Sequence, residues 1–151
     1  IIDLTTGDQP MTDEAENMII FNGEIYNYIE LRQELRSYGH QFKTTSDTEV
    51  ILKSYQQWGE DCVKHLRGMF AFVIWNEKEK TLFCARDRFG IKPFYYTIQN
   101  NVFYFASEVK ALLPFLPQIE TNTNALKEYL YFQLLLTEET LFKGVNELPP
   151  A

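Results

Sequence analysis

Met69-Phe70-Ala71-Phe72-Val73-Ile74-Trp75 is the run that decides the fold. Phe70, Phe72 and Ile74 alternate with Ala71, Val73 and Trp75, which is the period of a strand, yet both faces are apolar. A strand of that kind is covered on both sides. Downstream, Asn76-Glu77-Lys78-Glu79-Lys80 is a charged turn and Thr81 to Arg86 reads as the returning strand. Strands at Phe94 to Ile98 and Val102 to Ala106 follow across Gln99-Asn100-Asn101, so a meander of antiparallel strands is predicted. Upstream the period is helical. Tyr28, Leu31, Leu35 and Tyr38 recur at three- and four-residue intervals in a helix predicted from about Ile25 to Tyr38 and stopped by Gly39. Glu30, Arg32, Gln33 and Arg36 of that helix should face water. A second helix should begin at Asp47 or Thr48, bury Val50, Ile51, Leu52, Tyr55 and Trp58, and end before Gly59. Shorter helices are expected at Glu60 to Leu66, Glu108 to Leu113 and Asn124 to Phe132. Helices grouped before such strands predict an α+β chain of sheets layered with helices.

The 151 residues suffice for one domain with a real core, and 45% hydrophobic content argues against disorder. A formal charge of −7 provides no basic field, which disfavours nucleic acid and anionic membranes as partners. The longest apolar stretches are too short to span a bilayer and no leader precedes Ile1, so a cytoplasmic protein is expected. Cys62 and Cys84 form neither a C-x-x-C pair nor a metal spacing, and read as buried thiols in a reducing compartment; no metal site is expected. His40 and His65 stand apart from any nucleophile pattern. The chain opens without methionine in the strand-like Ile1-Ile2-Asp3-Leu4 and closes on the turn-like Glu147-Leu148-Pro149-Pro150-Ala151, which reads as a segment of something longer.

Chemistry concentrates in Phe21-Asn22-Gly23-Glu24-Ile25-Tyr26-Asn27, where a strand predicted from Asn17 to Phe21 ends at Asn22-Gly23. The Asn22 carboxamide and the Gly23 N–H are adjacent donors able to hold an oxyanion. Glu24 adds a carboxylate suited to an ammonium or amide, and Asp47 in Ser46-Asp47-Thr48-Glu49 offers another at a helix start. Together they suit a small zwitterion. Each residue also has a plainer reading: Asn-Gly after a strand is the commonest hairpin turn, Glu24 complements a helix dipole, and Asp47 caps a helix. Arg86 and Asp87 are expected to pair across a tight turn that Gly90 permits.

The heptapeptide, with Ser46-Asp47-Thr48-Glu49-Val50, Arg67-Gly68-Met69-Phe70-Ala71-Phe72 and Ala85-Arg86-Asp87-Arg88-Phe89-Gly90-Ile91-Lys92-Pro93, closely resembles the glutaminase domain of glutamine-hydrolysing asparagine synthetases. The resemblance runs across nearly the whole chain. It implies a partial type 2 glutamine amidotransferase domain over residues 1–151, with the αββα sandwich of N-terminal-nucleophile hydrolases lacking its first strands. It implies L-glutamine as substrate, Asn22 and Gly23 as oxyanion hole, Glu24 as a contact to glutamine, and Asp47 as the group that binds its α-ammonium. Backbone groups of Ile1 and Ile2 would lie beside the substrate.

Such enzymes attack with the thiol of an amino-terminal cysteine whose own α-amine is the base. Ile1 stands first here, so this chain alone is expected to hydrolyse no glutamine. The family's substrate-binding arginine lies upstream of Ile1, and its carboxyl-terminal synthetase domain, which uses ATP and Mg2+ to activate aspartate, is expected downstream. No cofactor is expected in these residues. The resemblance leaves two other readings open: a non-catalytic amino-acid-binding or interaction module, and an amidotransferase with another acceptor, β-lactam-closing synthetases included. Exposed sheet edges should favour self-association.

Overall fold

The computed structural model describes residues 7–150; the strand expected at Ile1-Ile2-Asp3-Leu4 lies outside them. The chain divides into two compact units, one running up to Lys92 and the other spanning Pro93–Pro150.

The first unit is an antiparallel sheet with helices on one face. Its strands are β1 (Met11–Thr12), β2 (Asn17–Ile25), β3 (Gly68–Asn76) and β4 (Thr81–Arg86), in that spatial order. Between β2 and β3 come α1 (Tyr28–Ser37), α2 (Asp47–Trp58) and a 3-10 helix, Gly59–Lys64. Period-2 alternation sends Ile19, Phe21 and Ile25 of β2 and Phe70, Phe72 and Ile74 of β3 to the helical side, where they bury with Leu31, Leu35, Val50, Ile51 and Leu52. Each such side chain contributes about 1.5–3 kcal/mol by leaving water, and their joint burial is the main force holding the unit together. β3 is buried from Phe70 to Ile74, on both faces, as its pattern predicts.

The first unit corrects four expectations. β2 does not stop at Phe21: it runs on through Asn22-Gly23 to Ile25, paired with β3 throughout, so Asn-Gly here is strand and not turn. The helix expected from Ile25 accordingly starts at Tyr28. Arg32 does not face water, because its guanidinium donates to the carbonyls of Thr44 and Ser46. The segment expected as a helix after Trp58 is the tighter 3-10 form. Two glycines explain why β2 and β3 can stay together so far. A Cβ on Gly23 would lie 2.1 Å from the Met69 carbonyl oxygen, and one on Gly68 would lie 2.1 Å from that of Glu24. No larger residue fits either place while the strands remain at this separation.

The second unit holds β5 (Tyr95–Gln99), β6 (Val102–Ala106) and β7 (Asn146–Glu147) in the order β6-β5-β7. Hence the predicted meander breaks after β4, and the strands form two sheets. The β5–β6 hairpin turns through Asn100 and Asn101 at φ 51° and 62°, a left-handed pair that asparagine tolerates. α3 (Thr123–Phe132) is capped by Asn122, whose side-chain oxygen accepts from the N–H groups of Asn124 and Ala125. The helix expected near Glu108 is replaced by two 3-10 turns, Val109–Ala111 and Leu113–Phe115, the latter carrying Pro114 in its first turn. The whole is a mixed α+β chain with antiparallel sheets.

Among the described residues no helix is long and apolar enough to cross a membrane.

Candidate active site

The carboxyl-terminal half of β2 carries three of the four predicted site residues, and alternation decides where each points. Asn22 and Glu24 lie on the face turned away from α1 and α2, and both are exposed. Gly23 contributes its backbone. Phe70, its partner across the sheet, donates its N–H to Asp87 Oδ2 at 3.2 Å and accepts from the Asp87 N–H at 2.8 Å. Both polar backbone groups of Phe70 therefore face away from β2. In an antiparallel pair this makes Gly23 and Phe70 a non-hydrogen-bonded couple, so the Gly23 N–H leaves β2 by its opposite edge.

That edge is well defined on either side of Gly23. Two residues before it, the Phe21 N–H donates to Gln9 Oε1 at 2.6 Å; two residues after it, the Ile25 N–H donates to Asp47 Oδ2 at 3.1 Å. Asp47 is the first residue of α2 and is buried. It does not cap its helix: Ser46 does, with its Oγ accepting from the Thr48 N–H at 3.1 Å. This leaves the Asp47 carboxylate to reach across from α2 to the end of β2. Sequence alone offers Asp47 both roles, cap and ligand, and the fold divides the two between neighbours.

Burial raises the pKa of Asp47 above the ordinary aspartate value. The N–H groups of Ile25, Asp47 and Thr48 act against that shift, and the charge of Glu24 adds to it. Two carboxylates thus lie within electrostatic reach at one end of β2, a field that favours a cation. The arrangement brings together, around one strand end, a carboxamide, an N–H on the edge of β2 away from β3, and two acids.

Residues outside the predicted set hold this strand end in place. Asn27 donates its side-chain N–H to the His65 carbonyl at 3.0 Å and accepts from the Arg67 N–H at 2.9 Å, tying the chain after β2 to the start of β3. Glu49 accepts from the N–H groups of Lys43 and Thr44 ahead of α2. The spacing Ser46-x-x-Glu49 is a capping-box signature and could have exposed Glu49 in the sequence; Asn27 left no such signal.

The Arg86–Pro93 signature is structural. Asp87 is fully buried and accepts backbone N–H groups from Phe70 and Lys92 on Oδ2 and from Phe89 and Ile91 on Oδ1. Burial opposes its charge, but these donors outweigh burial and hold its pKa below the usual value. Arg86 donates to the carbonyls of Lys92 and Gly90, and Arg88 to those of Leu66, Val63 and Lys64. Gly90, at φ 61°, takes a turn that a Cβ would drive into the Arg86 guanidinium 3.1 Å away.

Neither cysteine is an activated thiol. Burial pushes Cys62 up to about 12 and Cys84 up to about 11, whereas a nucleophilic thiol needs a lowered pKa. His65 stacks on Trp58 at 3.8 Å between ring centroids, and His40 shares a hydrogen bond with Gln57. Among the described residues no group of three or more His, Cys, Asp and Glu side chains is placed to hold a metal ion.

The family model of the glutamine amidotransferase domain matches residues 1–151. The chain belongs to the glutamine amidotransferase domain family. This amidotransferase domain is 50% identical over 151 residues to asparagine synthetase [glutamine-hydrolyzing] 1 of Bacillus subtilis (strain 168), a match that takes in 99% of this chain and 24% of the relative. It is 48% identical to asparagine synthetase [glutamine-hydrolyzing] 3 of the same organism, over 100% of this chain and 25% of the relative. The chain therefore spans about a quarter of the length of these curated relatives. Among solved structures, the glutamine phosphoribosylpyrophosphate amidotransferase from B. subtilis is similar with a TM-score of 0.59 at 26% identity, covering 69% of this chain and 25% of that one.

Proposed function

We propose that this amidotransferase domain is the glutaminase portion of an asparagine synthetase. The longer protein would make L-asparagine and L-glutamate from L-aspartate and L-glutamine, splitting ATP to AMP and pyrophosphate. The observation that carries the reading is the end of β2, where the Gly23 N–H leaves by the edge that Asp47 also reaches, with Asn22 and Glu24 beside it on one face. In this reading the Asn22 carboxamide and the Gly23 N–H donate to the oxygen of the glutamine side-chain amide as it becomes an oxyanion. Asp47 accepts from the α-ammonium and Glu24 adds a second contact to the amino acid. The buried, disfavoured charge of Asp47 supports this role, because a cation placed against it relieves the cost that burial imposes.

The nucleophile is assigned to neither Cys62, which is buried, nor Cys84, which is half-buried where a buried thiol was expected; both thiols are raised. The 151-residue chain by itself is thus proposed to release no glutamate from glutamine. ATP, Mg2+ and aspartate would bind a synthetase domain elsewhere in the longer protein. The relatives named asparagine synthetases favour aspartate as acceptor over those of other amidotransferases and over a non-catalytic module.

Glutamate release by the full-length protein tests the assignment. Asn22→Ala is expected to lower kcat by about 10²–10³-fold with the fold intact, the usual loss for one oxyanion donor. Full activity in that variant would remove Asn22 from the oxyanion role. Glutamate release by the 151-residue chain alone would overturn its proposed inactivity.

A further inference from the structure

The loop that delivers Asp47 is gripped from two sides by opposite charges. Arg32, on α1, donates from Nη1 to the Thr44 carbonyl and from Nη2 to the Ser46 carbonyl, the latter at 2.9 Å. Its guanidinium also lies 4.6 Å from the centre of the Phe42 ring, which fixes the plane of the fork. Glu49, on α2, takes the donors of the same segment. Oε1 accepts the Lys43 N–H at 2.8 Å, and Oε2 accepts the Thr44 N–H and the Thr44 hydroxyl, both at 2.7 Å. The Thr44 hydroxyl in turn accepts the Ser46 N–H at 3.2 Å. The carbonyls of Thr44 and Ser46 thus go to Arg32, and the amides of Lys43 and Thr44 to Glu49.

A helix cap alone does not need this. In an ordinary capping box the N3 glutamate returns to the N–H of the capping residue; here Glu49 reaches past Ser46 to Thr44 and Lys43, and Ser46 is served by Thr44 instead. Glu49 is also buried, in a place where charge is costly unless it is well bonded. The residue that directly follows the gripped segment is Asp47, whose carboxylate must span from α2 to the Ile25 N–H. We infer that Arg32 and Glu49 are positioning residues for Asp47: they hold the segment 43–46 so that the Asp47 carboxylate stays at the edge of β2, ready for a ligand ammonium. The inference rests on the reading of Asp47 as the ammonium contact and adds to it the pair that enforces its geometry.

Charge-preserving and shape-preserving variants test it in the 151-residue chain. Arg32→Lys removes the fork, and Glu49→Gln places an amide N–H against a backbone N–H. Thr44→Val is the gentler variant, losing only the hydroxyl that bridges Glu49 and Ser46. Two readouts are taken. One is the carboxyl titration of Asp47 followed by NMR, which needs no ligand. The other is calorimetric binding of L-glutamine and of glutaramate, the same ω-amide without the α-ammonium.

The expected result is that Arg32→Lys and Glu49→Gln weaken L-glutamine binding about tenfold, leave glutaramate unchanged and move the Asp47 titration down towards the ordinary aspartate value. Thr44→Val should do the same to a smaller extent. Folded variants whose Asp47 titration and glutamine-to-glutaramate ratio match the wild type overturn the inference and reduce the clamp to loop stability. Asp47→Asn separates the two levels. If it leaves the preference for glutamine over glutaramate intact, the reading of Asp47 falls. The positioning claim is then decided by the titration alone, which supports it if it shifts and refutes it if it does not.

Discussion

At the residue scale, Asp47 carries a conflict between stability and the proposed function. Burial raises its pKa, so its ionised form is disfavoured in the folded chain. For an aspartate raised in this way, stability is lost as pH climbs from the unfolded value through the folded one, and nothing is lost below the unfolded value. Asp47→Asn is therefore expected to raise the Tm of the ligand-free chain by roughly 2–4 °C at pH 7, and the gain should vanish below pH 3.8, the ordinary aspartate value. The same substitution should weaken L-glutamine binding by about 30-fold or more, because an ammonium would lose its buried partner. Melting curves at the two pH values and calorimetry at pH 7 check the pair of outcomes. A stabilised variant that binds as before would argue for a merely strained aspartate. Asp87 shows the opposite balance: it is buried too, but four backbone N–H groups favour its charge. The two aspartates thus shift in opposite directions: burial, with the charge of Glu24, prevails at Asp47, whereas four backbone N–H groups prevail over burial at Asp87.

At the scale of elements, the pairing of β2 with β3 is what aims the site residues. Met69 and Phe70 come so close to β2 that only hydrogen fits at Gly23, and Glu24 and Ile25 impose the same on Gly68. Gly68→Ala alters no proposed catalytic group, yet its methyl would have to displace the Glu24 backbone 2.1 Å away. It should cost about 1–3 kcal/mol in urea unfolding, as overpacking does, and shift the amide resonances of Glu24 and Ile25. An unchanged midpoint would mean that the strands separate without penalty there. This contact between strands was not legible in the sequence. Asn22-Gly23 has the composition of a hairpin, and only the partner strand overrides it. The helices are more legible: Val50, Ile51 and Leu52 are buried as their spacing predicts, and Gly59 ends α2 at φ 59°. The start of α1 lies later than its period suggests because β2 keeps Ile25 in its ladder.

At the scale of the whole molecule, apolar surface remains exposed in each unit taken by itself. In the second, α3 buries only Ala125, while Leu130 and Tyr131 are 66% and 84% exposed. In the first, Met18, Ile20 and Leu82 are exposed on the face of the sheet turned away from its helices. Contiguous surface of this kind favours association in water. The 151-residue chain is expected to elute as a concentration-dependent mixture in size-exclusion chromatography with light scattering, and Leu130→Lys with Tyr131→Lys should shift it towards monomer. A wild-type monomer at every concentration tested would refute this.

Local pattern was enough to determine the four strands β3 to β6, the two main helices and the family resemblance, because periodicity and short motifs are properties of neighbours along the chain. It also marked Arg86–Pro93 as a turn but not its bonding: Arg86 and Asp87 were expected to pair, whereas Arg86 donates to the carbonyls of Lys92 and Gly90 and Asp87 accepts backbone N–H groups. Tertiary structure alone decided that the strands divide into two sheets, that Asn22-Gly23 is ladder and not turn, that Ser46 caps α2 so that Asp47 can reach β2, and that Arg32 and Glu49 grip the loop before it. Apart from the Ser46 cap and the bonds of Glu49, which are local, each of these depends on a partner many residues away in sequence, and the energy that selects it is a contact or a hydrogen bond that exists only once the chain has closed.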